Sequence, residues 1–143
     1  MPLESLNHYL IYAEDLEATK NFYVDVLGLR VGERPPFPFP GYWLYSGDTA
    51  CVHVAHAKAN AAQKSYLGDK QGAATAGTGA IDHVAFVATG LRKTLGQLAA
   101  HGVATRRRTV PEDGSHQVFI EDPNGITIEL NFRAGELEGI EGD

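Results

Sequence analysis

The chain has 143 residues, 43% of them hydrophobic and 21% charged, which is the size and composition of one ordinary globular domain. Its formal net charge of −6 disfavours binding to phosphate backbones, so no nucleic-acid partner is expected. No apolar run approaches the roughly 20 residues of a membrane helix, and the N-terminus shows no secretory signal. Because Cys51 is the only cysteine, an internal disulfide is excluded, and a reducing cytoplasm is the expected location.

The first half of the chain predicts one strand, one helix and three further strands, in that order. Strands are predicted at residues 6–12, 29–33, 42–45 and 50–55. After the first strand, Asp15 is placed to cap a helix whose apolar residues recur at helical spacing until Gly28 stops it. The proline-rich residues 34–41 are excluded from helices and central strands. Residues 46–48 predict the turn between the last two strands.

The second half predicts the same order after a change of composition. Residues 57–80 are rich in Ala, Gly, Lys, Gln and Thr, which predicts a linker or mobile loop. A strand that begins at Ile81 precedes an amphipathic helix over residues 91–101. Later strands are predicted at residues 105–110, 117–121 and 126–132, the last two joined by a turn at 122–125. The predicted organisation is a first module at 5–56, a linker at 57–80, a second module at 81–133 and an acidic tail at 134–143 that frays at its end.

The two halves match at a fixed offset, which indicates an internal duplication. Residues 6–8 (Leu-Asn-His) lie over residues 81–83 (Ile-Asp-His) at an offset of 75 positions. The same offset places Tyr23 over Leu98, both of them apolar positions of the predicted helices. A repeated unit of this kind cannot bury its apolar face alone, whereas two copies can. The sequence therefore predicts an α+β fold made of two βαβββ modules.

Four side chains of types that bind metals occupy equivalent places in the two predicted modules. His8 and His83 are each third in the first strand of their module, and His53 and Glu129 fall in the last strands, 76 positions apart. Strand alternation puts Glu129 on the polar face of its strand, opposite the apolar residues of the predicted core. A single strand histidine is usually a core or surface residue. The symmetric placement nevertheless predicts that all four residues bind one divalent metal.

The types of these ligands restrict the metal and leave two further roles open. Imidazole and carboxylate suit Fe²⁺, Zn²⁺, Ni²⁺, Mn²⁺ or Co²⁺ better than Ca²⁺, which prefers about six to eight oxygens. His53 is predicted either to complete a four-ligand site or to act as a catalytic base beside the ion. His116, near a predicted strand start, is a second candidate acid or base, and a role in the loop is the alternative.

An aromatic cluster and a basic run are candidates for contacts with a substrate. Phe37, Phe39 and Trp43 lie in or just after the proline-rich segment, where they are predicted to line an apolar pocket. The alternative is that they close the core of the module. Arg106, the first of three consecutive arginines, is predicted to anchor an anionic group, although runs of charge are more often solvated.

Several segments make the chain similar to a known superfamily. They are Leu6-Asn7-His8, Asp15-Leu16, Phe22-Tyr23, Val26-Leu27-Gly28-Leu29, Ile81-Asp82-His83-Val84-Ala85-Phe86 and Glu121-Asp122-Pro123-Asn124-Gly125-Ile126-Thr127-Ile128-Glu129-Leu130. Over residues 5–133 the chain resembles the vicinal oxygen chelate superfamily, which includes lactoylglutathione lyase (glyoxalase I), extradiol dioxygenases, and fosfomycin- and bleomycin-resistance proteins. The resemblance implies an eight-stranded mixed sheet curled around a metal that chelates adjacent oxygens of a small-molecule substrate. It also implies a homodimer, and it places the metal ligands at His8, His53, His83 and Glu129.

Departures from the patterns of the superfamily leave the reaction open. Glyoxalase I usually carries a carboxylate at the position of His53, and extradiol enzymes usually carry a tyrosine at the position of Phe119. Bleomycin-binding members lack the metal ligands that this chain has. A glyoxalase-like isomerase or lyase is the preferred expectation, because four ligands match it. The alternatives are an extradiol dioxygenase that cleaves a catechol with Fe²⁺, and a protein that binds a small molecule without turnover.

Overall fold

The computed structural model describes residues 2–69, 76–138 and 140. The chain divides into two compact units, Met1–Thr75 and Ala76–Asp143, and the division falls inside the segment predicted to link the two modules. No helix in the described ranges is long and apolar enough to cross a membrane. Each unit contains one four-stranded mixed sheet and its own helices.

The first unit follows the predicted order and adds a helix at its end. Its elements are β1 (Tyr9–Ala13), α1 (Leu16–Asn21), a π-helical turn (Phe22–Val26), β2 (Arg30–Gly32), β3 (Gly41–Ser46), β4 (Thr49–His56) and α2 (Ala61–Leu67). The strands lie in the order β1-β4-β3-β2, with β1 parallel to β4 and the other pairs antiparallel. The first and last strands of the module therefore lie side by side.

The second unit repeats this arrangement. Its elements are β5 (Val84–Val87), α3 (Leu91–Ala100), β6 (Arg106–Thr109), β7 (His116–Glu121) and β8 (Thr127–Phe132). Its strand order, β5-β8-β7-β6, matches that of the first unit, and β5 is again parallel to β8. The prediction of two βαβββ modules in an α+β fold is confirmed.

The local signals that predicted the first helices have the expected physical effect. The side chain of Asp15 accepts a hydrogen bond from the amide of Ala18 at 2.9 Å, which satisfies a donor that the first turn of α1 leaves free. Gly28 has a φ of +76°, a conformation that a side chain would strain, and it ends the helical segment. The equivalent helix residues Tyr23 and Leu98 are both fully buried, so the apolar faces of both helices pack as predicted.

The first strand of each module begins later than predicted. β1 starts at Tyr9 and β5 at Val84, so His8 and His83 each immediately precede a strand instead of being its third residue. The apolar pattern continues upstream through Leu6 and Ile81, but these side chains are 87% and 62% exposed. An apolar side chain does not mark where inter-strand hydrogen bonds begin, because the boundary is set by pairing with the neighbouring strand, which starts at Tyr9 in β1 and at Val84 in β5. The error is the same in both modules, so their equivalence is preserved.

A helix occupies part of the segment that was predicted to be a linker. The side chain of Asn60 accepts from the amide of Gln63 at 2.8 Å and caps α2. The amide of the Gln63 side chain donates to the carbonyl of His56 at 2.8 Å, which fastens the helix to the end of β4. The alanine, glutamine and lysine of this segment lack an apolar stripe, yet they favour helix formation. Residues 70–75 of the predicted linker lie outside the described residues.

The first part of the acidic tail contributes to the fold of the second unit. One carboxylate oxygen of Glu136 accepts from the backbone amides of Gly90 and Leu91, each at 2.9 Å. These amides begin α3, where no residue of the helix itself supplies a side-chain cap. A negative charge at this position also interacts favourably with the positive end of the helix dipole. The acidic tail is therefore partly a capping segment; residues 139 and 141–143 lie outside the described residues.

Candidate metal centre

In the first unit, strand register brings two of the predicted ligands together. His53 of β4 lies opposite Leu10 of β1 and Trp43 of β3. His8 precedes Leu10 by two residues and so lies on the same side of the sheet as His53. The imidazole of His53 is stacked between two rings, with centroid distances of 3.7 Å to His8 and 4.1 Å to Trp43. We call this arrangement the His8–His53–Trp43 stack.

The imidazole of His53 has the properties of a metal ligand. His53 is only 8% exposed, and its Nε2 atom is buried without a hydrogen-bond partner among the described residues. Burial, followed by the charge of His8, lowers the pKa of His53 to about 4. The ring is therefore neutral at pH 7 and offers a lone pair. An unpaired buried nitrogen costs on the order of 1–3 kcal/mol, a cost that a bound ion would remove.

The second unit repeats this placement with a different pair. Glu129 of β8 lies opposite Ala85 of β5 and Phe119 of β7, as His53 lies opposite Leu10 and Trp43. His83 precedes Ala85 by two residues, and its Nε2 lies 3.2 Å from Oε1 of Glu129. The ring of Phe119 stands edge-on to that of His83, with centroids 6.1 Å apart. The two predicted ligands of this unit thus meet on one face of its sheet.

In both units the residue before the leading histidine orients that histidine. The Nδ1 atom of His8 donates to Oδ1 of Asn7, and Nδ1 of His83 donates to Oδ2 of Asp82, each at 2.7 Å. A proton on Nδ1 leaves Nε2 as the lone-pair nitrogen, which is the usual way that an outer partner prepares a histidine ligand. Sequence reasoning did not assign Asn7 and Asp82 a role. The signal was present, because both lie within the tripeptides that repeat at the 75-residue offset.

Two amide side chains orient Glu129. Its Oε2 atom accepts from Nδ2 of Asn131 at 2.6 Å and from Nε2 of Gln117 at 3.2 Å. Gln117 also donates to Oδ1 of Asn131 at 3.0 Å, so the three side chains form one network. Oε2 is thereby occupied, and Oε1 is the atom that faces His83. Gln117 was not predicted from the sequence, but strand alternation on β7 and β8 places it on the same face as Glu129.

These donors fit a divalent transition metal. Each unit supplies one pair, and no group of three or more His, Cys, Asp or Glu side chains suited to an ion occurs in residues 2–69, 76–138 and 140. Imidazole nitrogens and carboxylate oxygens are the donors that Zn²⁺, Fe²⁺, Mn²⁺, Ni²⁺ and Co²⁺ accept. The buried, unpartnered Nε2 of His53 agrees with such a ligand set.

Comparison with known proteins shows the family. The sequence profile of the glyoxalase/bleomycin resistance protein/dioxygenase superfamily matches residues 5–130. The chain belongs to this superfamily, whose members include the vicinal oxygen chelate proteins. It is 29% identical to "Glyoxylase I 4" of Arabidopsis thaliana over 133 residues, which cover 90% of this chain and 70% of the plant protein.

Two bacterial proteins are also similar along nearly their whole length. The chain is 26% identical to a probable lactoylglutathione lyase of Vibrio parahaemolyticus over 140 residues, covering 94% of this chain and 95% of the relative. Among solved structures, lactoylglutathione lyase from Agrobacterium tumefaciens has a TM-score of 0.67 at 24% identity, covering 97% of this chain and 99% of that one. The structural likeness establishes the vicinal oxygen chelate fold.

One predicted acid–base residue lies on the opposite face of its sheet. His116 begins β7 opposite Phe132, so it faces the core together with Val118, whereas Glu129 faces the other way. Its side chain is fully buried: Nε2 accepts from Nε of Arg107 at 3.1 Å, and Nδ1 lies 3.0 Å from Oγ1 of Thr109. This placement does not support the predicted catalytic role of His116. The alternation of side chains along β7 and β8 assigns His116 and Glu129 to opposite faces of the sheet.

The predicted pocket residues fall into two groups. Phe37, Phe39 and Trp43 line a cavity of about 570 Å³ in the first unit, together with His8 and His53 of the stack. Arg106 belongs to the second unit, where its guanidinium lies 4.2 Å from the ring centroid of Phe119. It shares a sheet face with Glu129, because Arg106, Phe119 and Glu129 are consecutive partners across three strands. The aromatic part of the predicted pocket therefore has a cavity beside the candidate ligands of its own unit.

Proposed function

We propose that this superfamily member is a divalent-metal-dependent enzyme in which His8, His53, His83 and Glu129 bind one ion. Its substrate is a small molecule that chelates the ion through two adjacent oxygens. The preferred reaction is a glyoxalase-like isomerisation or lyase step. The relatives named as a glyoxylase and a probable lactoylglutathione lyase support this preference, as do four residues of ligand type.

The observation that carries the proposal is that both units orient a histidine nitrogen in the same way, at equivalent positions. In each unit the leading histidine has its Nδ1 held by the preceding side chain, and its partner lies on the same face of the sheet. A structural role for these histidines does not require this arrangement twice, at positions equivalent under the duplication. The unpartnered Nε2 of His53 strengthens the argument, because a buried polar atom in a native protein normally has a partner.

The four residues would hold the ion, and the remaining side chains would position the substrate. A bound divalent ion polarises substrate oxygens and lowers the pKa of a neighbouring C–H or hydroxyl group. In the glyoxalase-like reading His53 is a ligand, and the lyase pattern's second carboxylate is absent at its position. If His53 does not bind the ion, the unpartnered Nε2 of its neutral imidazole can accept a proton from the substrate.

An extradiol dioxygenase is the second candidate, and the environment of His53 is the observation that favours it. Two histidines and one carboxylate form the facial set of non-haem Fe²⁺ oxygenases, in which His53 would be a neutral base beside the ion. The aromatic wall of the cavity in the first unit suits a catechol ring. Phe119 counts against this reading, because it lacks the hydroxyl that extradiol enzymes usually carry there.

Metal content and two activity assays test the proposal. Protein purified without added metal is analysed for bound ions, and then assayed as a lactoylglutathione lyase and, in an oxygen electrode, with a series of catechols. We expect about one ion per chain, with an activity that chelation removes and metal restores. His101→Ala is the matched control, since His101 is an exposed histidine at the end of α3. Full activity in thoroughly chelated protein would contradict metal dependence, and retained metal without either activity would favour a binding protein.

We also propose that the protein is a homodimer. Each described sheet has two outer strands, and β2 is a short one with an exposed Val31. Outer strands and exposed apolar side chains favour pairing with another copy of the chain. Sedimentation velocity at micromolar concentration measures the mass directly. A single species at the 15.4 kDa of the monomer would reject the proposal.

A further inference from the structure

The cavity of the first unit has an aromatic wall made by two segments outside the sheet. The proline-rich segment contributes Phe37 and Phe39, whose rings are stacked with centroids 5.1 Å apart. Helix α2 contributes Tyr66, whose ring centroid is 4.4 Å from that of Phe37. Trp43 of β3 continues the wall at 6.4 Å from Phe37 and leads to the His8–His53–Trp43 stack.

Side-chain hydrogen bonds hold these two segments in place. Asn60, which caps α2, also donates from its side chain to the carbonyl of Pro38 at 3.1 Å, so one residue connects the helix with the proline-rich segment. Gln63 ties the same helix to the end of β4 and is itself 1% exposed. The wall is therefore a fixed part of the unit.

Arg34 brings a positive charge to this wall. Its guanidinium carbon lies 5.3 Å from the ring centroid of Phe37 and 5.2 Å from that of Phe39, and one N–H group donates to the carbonyl of Phe39. No carboxylate of the described residues forms an ion pair with Arg34, and the one acidic residue that lines the cavity, Asp48, is not paired with it. A guanidinium has five N–H donors, so most of them remain available.

Gly41 makes room for this guanidinium. A β-carbon at Gly41 would lie 2.6 Å from Nη1 of Arg34 and 2.5 Å from the carbonyl oxygen of Val54, closer than any real contact. The absence of a side chain at this position thus permits both the pairing of β3 with β4 and the approach of Arg34. The proline-rich segment ends in glycine for a steric reason that is connected with the cavity.

We propose that this cavity binds small aromatic carboxylates, with the carboxylate paired to Arg34 and the ring in contact with Phe37, Tyr66 and Trp43. A guanidinium that lacks an acidic partner and lies in an aromatic wall matches an anion attached to a flat ring. The cavity volume of about 570 Å³ is within the range of small-molecule sites. His8 and His53 also line the cavity, so a ligand bound there is adjacent to two of the candidate metal ligands. This inference rests on the proposed function in one respect only, namely that the ligand of the cavity is the substrate.

Trp43, the only tryptophan of the chain, reports binding through its fluorescence. The probes are mandelate, mandelamide and lactate, which share a hydroxyl group and differ in the charge or the ring. In chelator-treated protein we expect mandelate to bind at least about tenfold more tightly than either of the other two. Equal affinity for mandelate and mandelamide, or for mandelate and lactate, would overturn the proposal.

Variants assign the two contacts. Arg34→Met should reduce mandelate affinity about tenfold, to the level of mandelamide, and Arg34→Lys should retain part of it. Phe37→Leu should weaken mandelate binding about three- to tenfold and leave lactate unchanged. Arg30→Met is the matched control: like Arg34, Arg30 lies over an aromatic ring, at 4.8 Å from the centroid of Tyr45, but it does not line the cavity.

Thermal unfolding shows whether each variant is folded. If Arg34→Met does not fold, the affinities of the unaltered chain for the three probes still test the proposal. Unchanged mandelate affinity in a folded Arg34→Met would overturn the assignment of Arg34. Using metal-free protein separates this inference from the proposed function. Mandelate binding by the stripped protein, together with no ion in the protein as purified and no uptake on metal titration, would keep the subsite and reject the metal enzyme. A bound ion in the purified protein, without a preference for mandelate after chelation, would do the reverse.

Discussion

The two units place their candidate ligands by the same backbone register but hold them by different forces. In the first unit His53 is held by burial and by stacking between His8 and Trp43. In the second unit Glu129 is held by hydrogen bonds from Gln117 and Asn131. The surroundings of the two side chains differ accordingly: an aromatic cavity adjoins His53, and a polar network adjoins Glu129.

The difference follows from the chemistry of the ligands. A neutral imidazole can be buried among rings, provided that its lone pair binds a metal ion or accepts a hydrogen bond. A carboxylate that is buried needs donors for the oxygen that is not used, since an unpaired buried charge is much more costly. The duplicated fold therefore fixes where a candidate ligand side chain starts, and the neighbours on the sheet determine which type of side chain is stable there.

The largest expected effect is the loss of a ligand from the polar half. His83→Ala removes the histidine whose Nε2 faces Glu129 and leaves the carboxylate without that partner. We expect metal affinity to fall by more than about 100-fold, which exceeds the usual effect of losing an outer hydrogen-bond partner. Titration of metal into chelated protein measures it, with His101→Ala as the control. Unchanged affinity would remove His83 from the ligand set.

The aromatic half provides the sharper test, because His53 distinguishes the two enzyme readings. In a four-ligand site His53→Ala should release much of the metal, while His53→Glu should retain it by restoring a ligand and a proton carrier. In the extradiol reading His53→Ala should keep a full complement of iron and lose only turnover. Metal titration of the chelated wild type and both variants separates these results. Full affinity in His53→Ala would place the extradiol reading first.

A smaller effect is expected from the network that orients Glu129. Gln117→Leu removes one of the two donors to Oε2 of Glu129, leaves Asn131 as the other, and keeps a side chain of similar size. Metal affinity should fall about 10- to 100-fold, because outer partners of metal ligands contribute effects of this order. Gln97→Leu, on the exposed face of α3, is the control. If both variants bind metal as the wild type does, hydrogen bonding does not hold the carboxylate for the ion.

The smallest expected effects compare how the two units cap their helices. Asp15→Ala removes the cap of α1, and Glu136→Ala removes the carboxylate that accepts from the first amides of α3. Each should lower the free energy of unfolding by about 1 kcal/mol. Urea denaturation measures both, and Glu138→Ala tests an exposed acidic residue of the same tail. A loss no larger for Glu136→Ala than for Glu138→Ala would show that α3 does not depend on the tail.

The sequence predicted those features that a local pattern encodes. Helical periodicity and the 75-residue offset predicted the two modules, in which the equivalent residues Tyr23 and Leu98 are both buried. Strand alternation predicted that Glu129 lies on the polar face of its strand, and the structure places it there in a hydrogen-bonded network with Asn131. The metal-ligand roles of His8, His53, His83 and Glu129 remain predictions, which the experiments above test.

Only the tertiary structure decided the features that depend on partners distant in the chain. Glu136 caps a helix that begins 45 residues earlier, and Asn60 joins α2 to a carbonyl 22 residues away, so neither contact leaves a local periodic signal. His116 was a candidate acid or base with a loop role as the alternative, because its strand was predicted to begin one residue later. Its pairing with Phe132 shows that it belongs to β7 and is buried. By itself the sequence determined the modules and the positions of the ligand-type residues, because both depend on short-range geometry. The environment of each candidate ligand was decided by packing between strands, which a linear pattern does not specify.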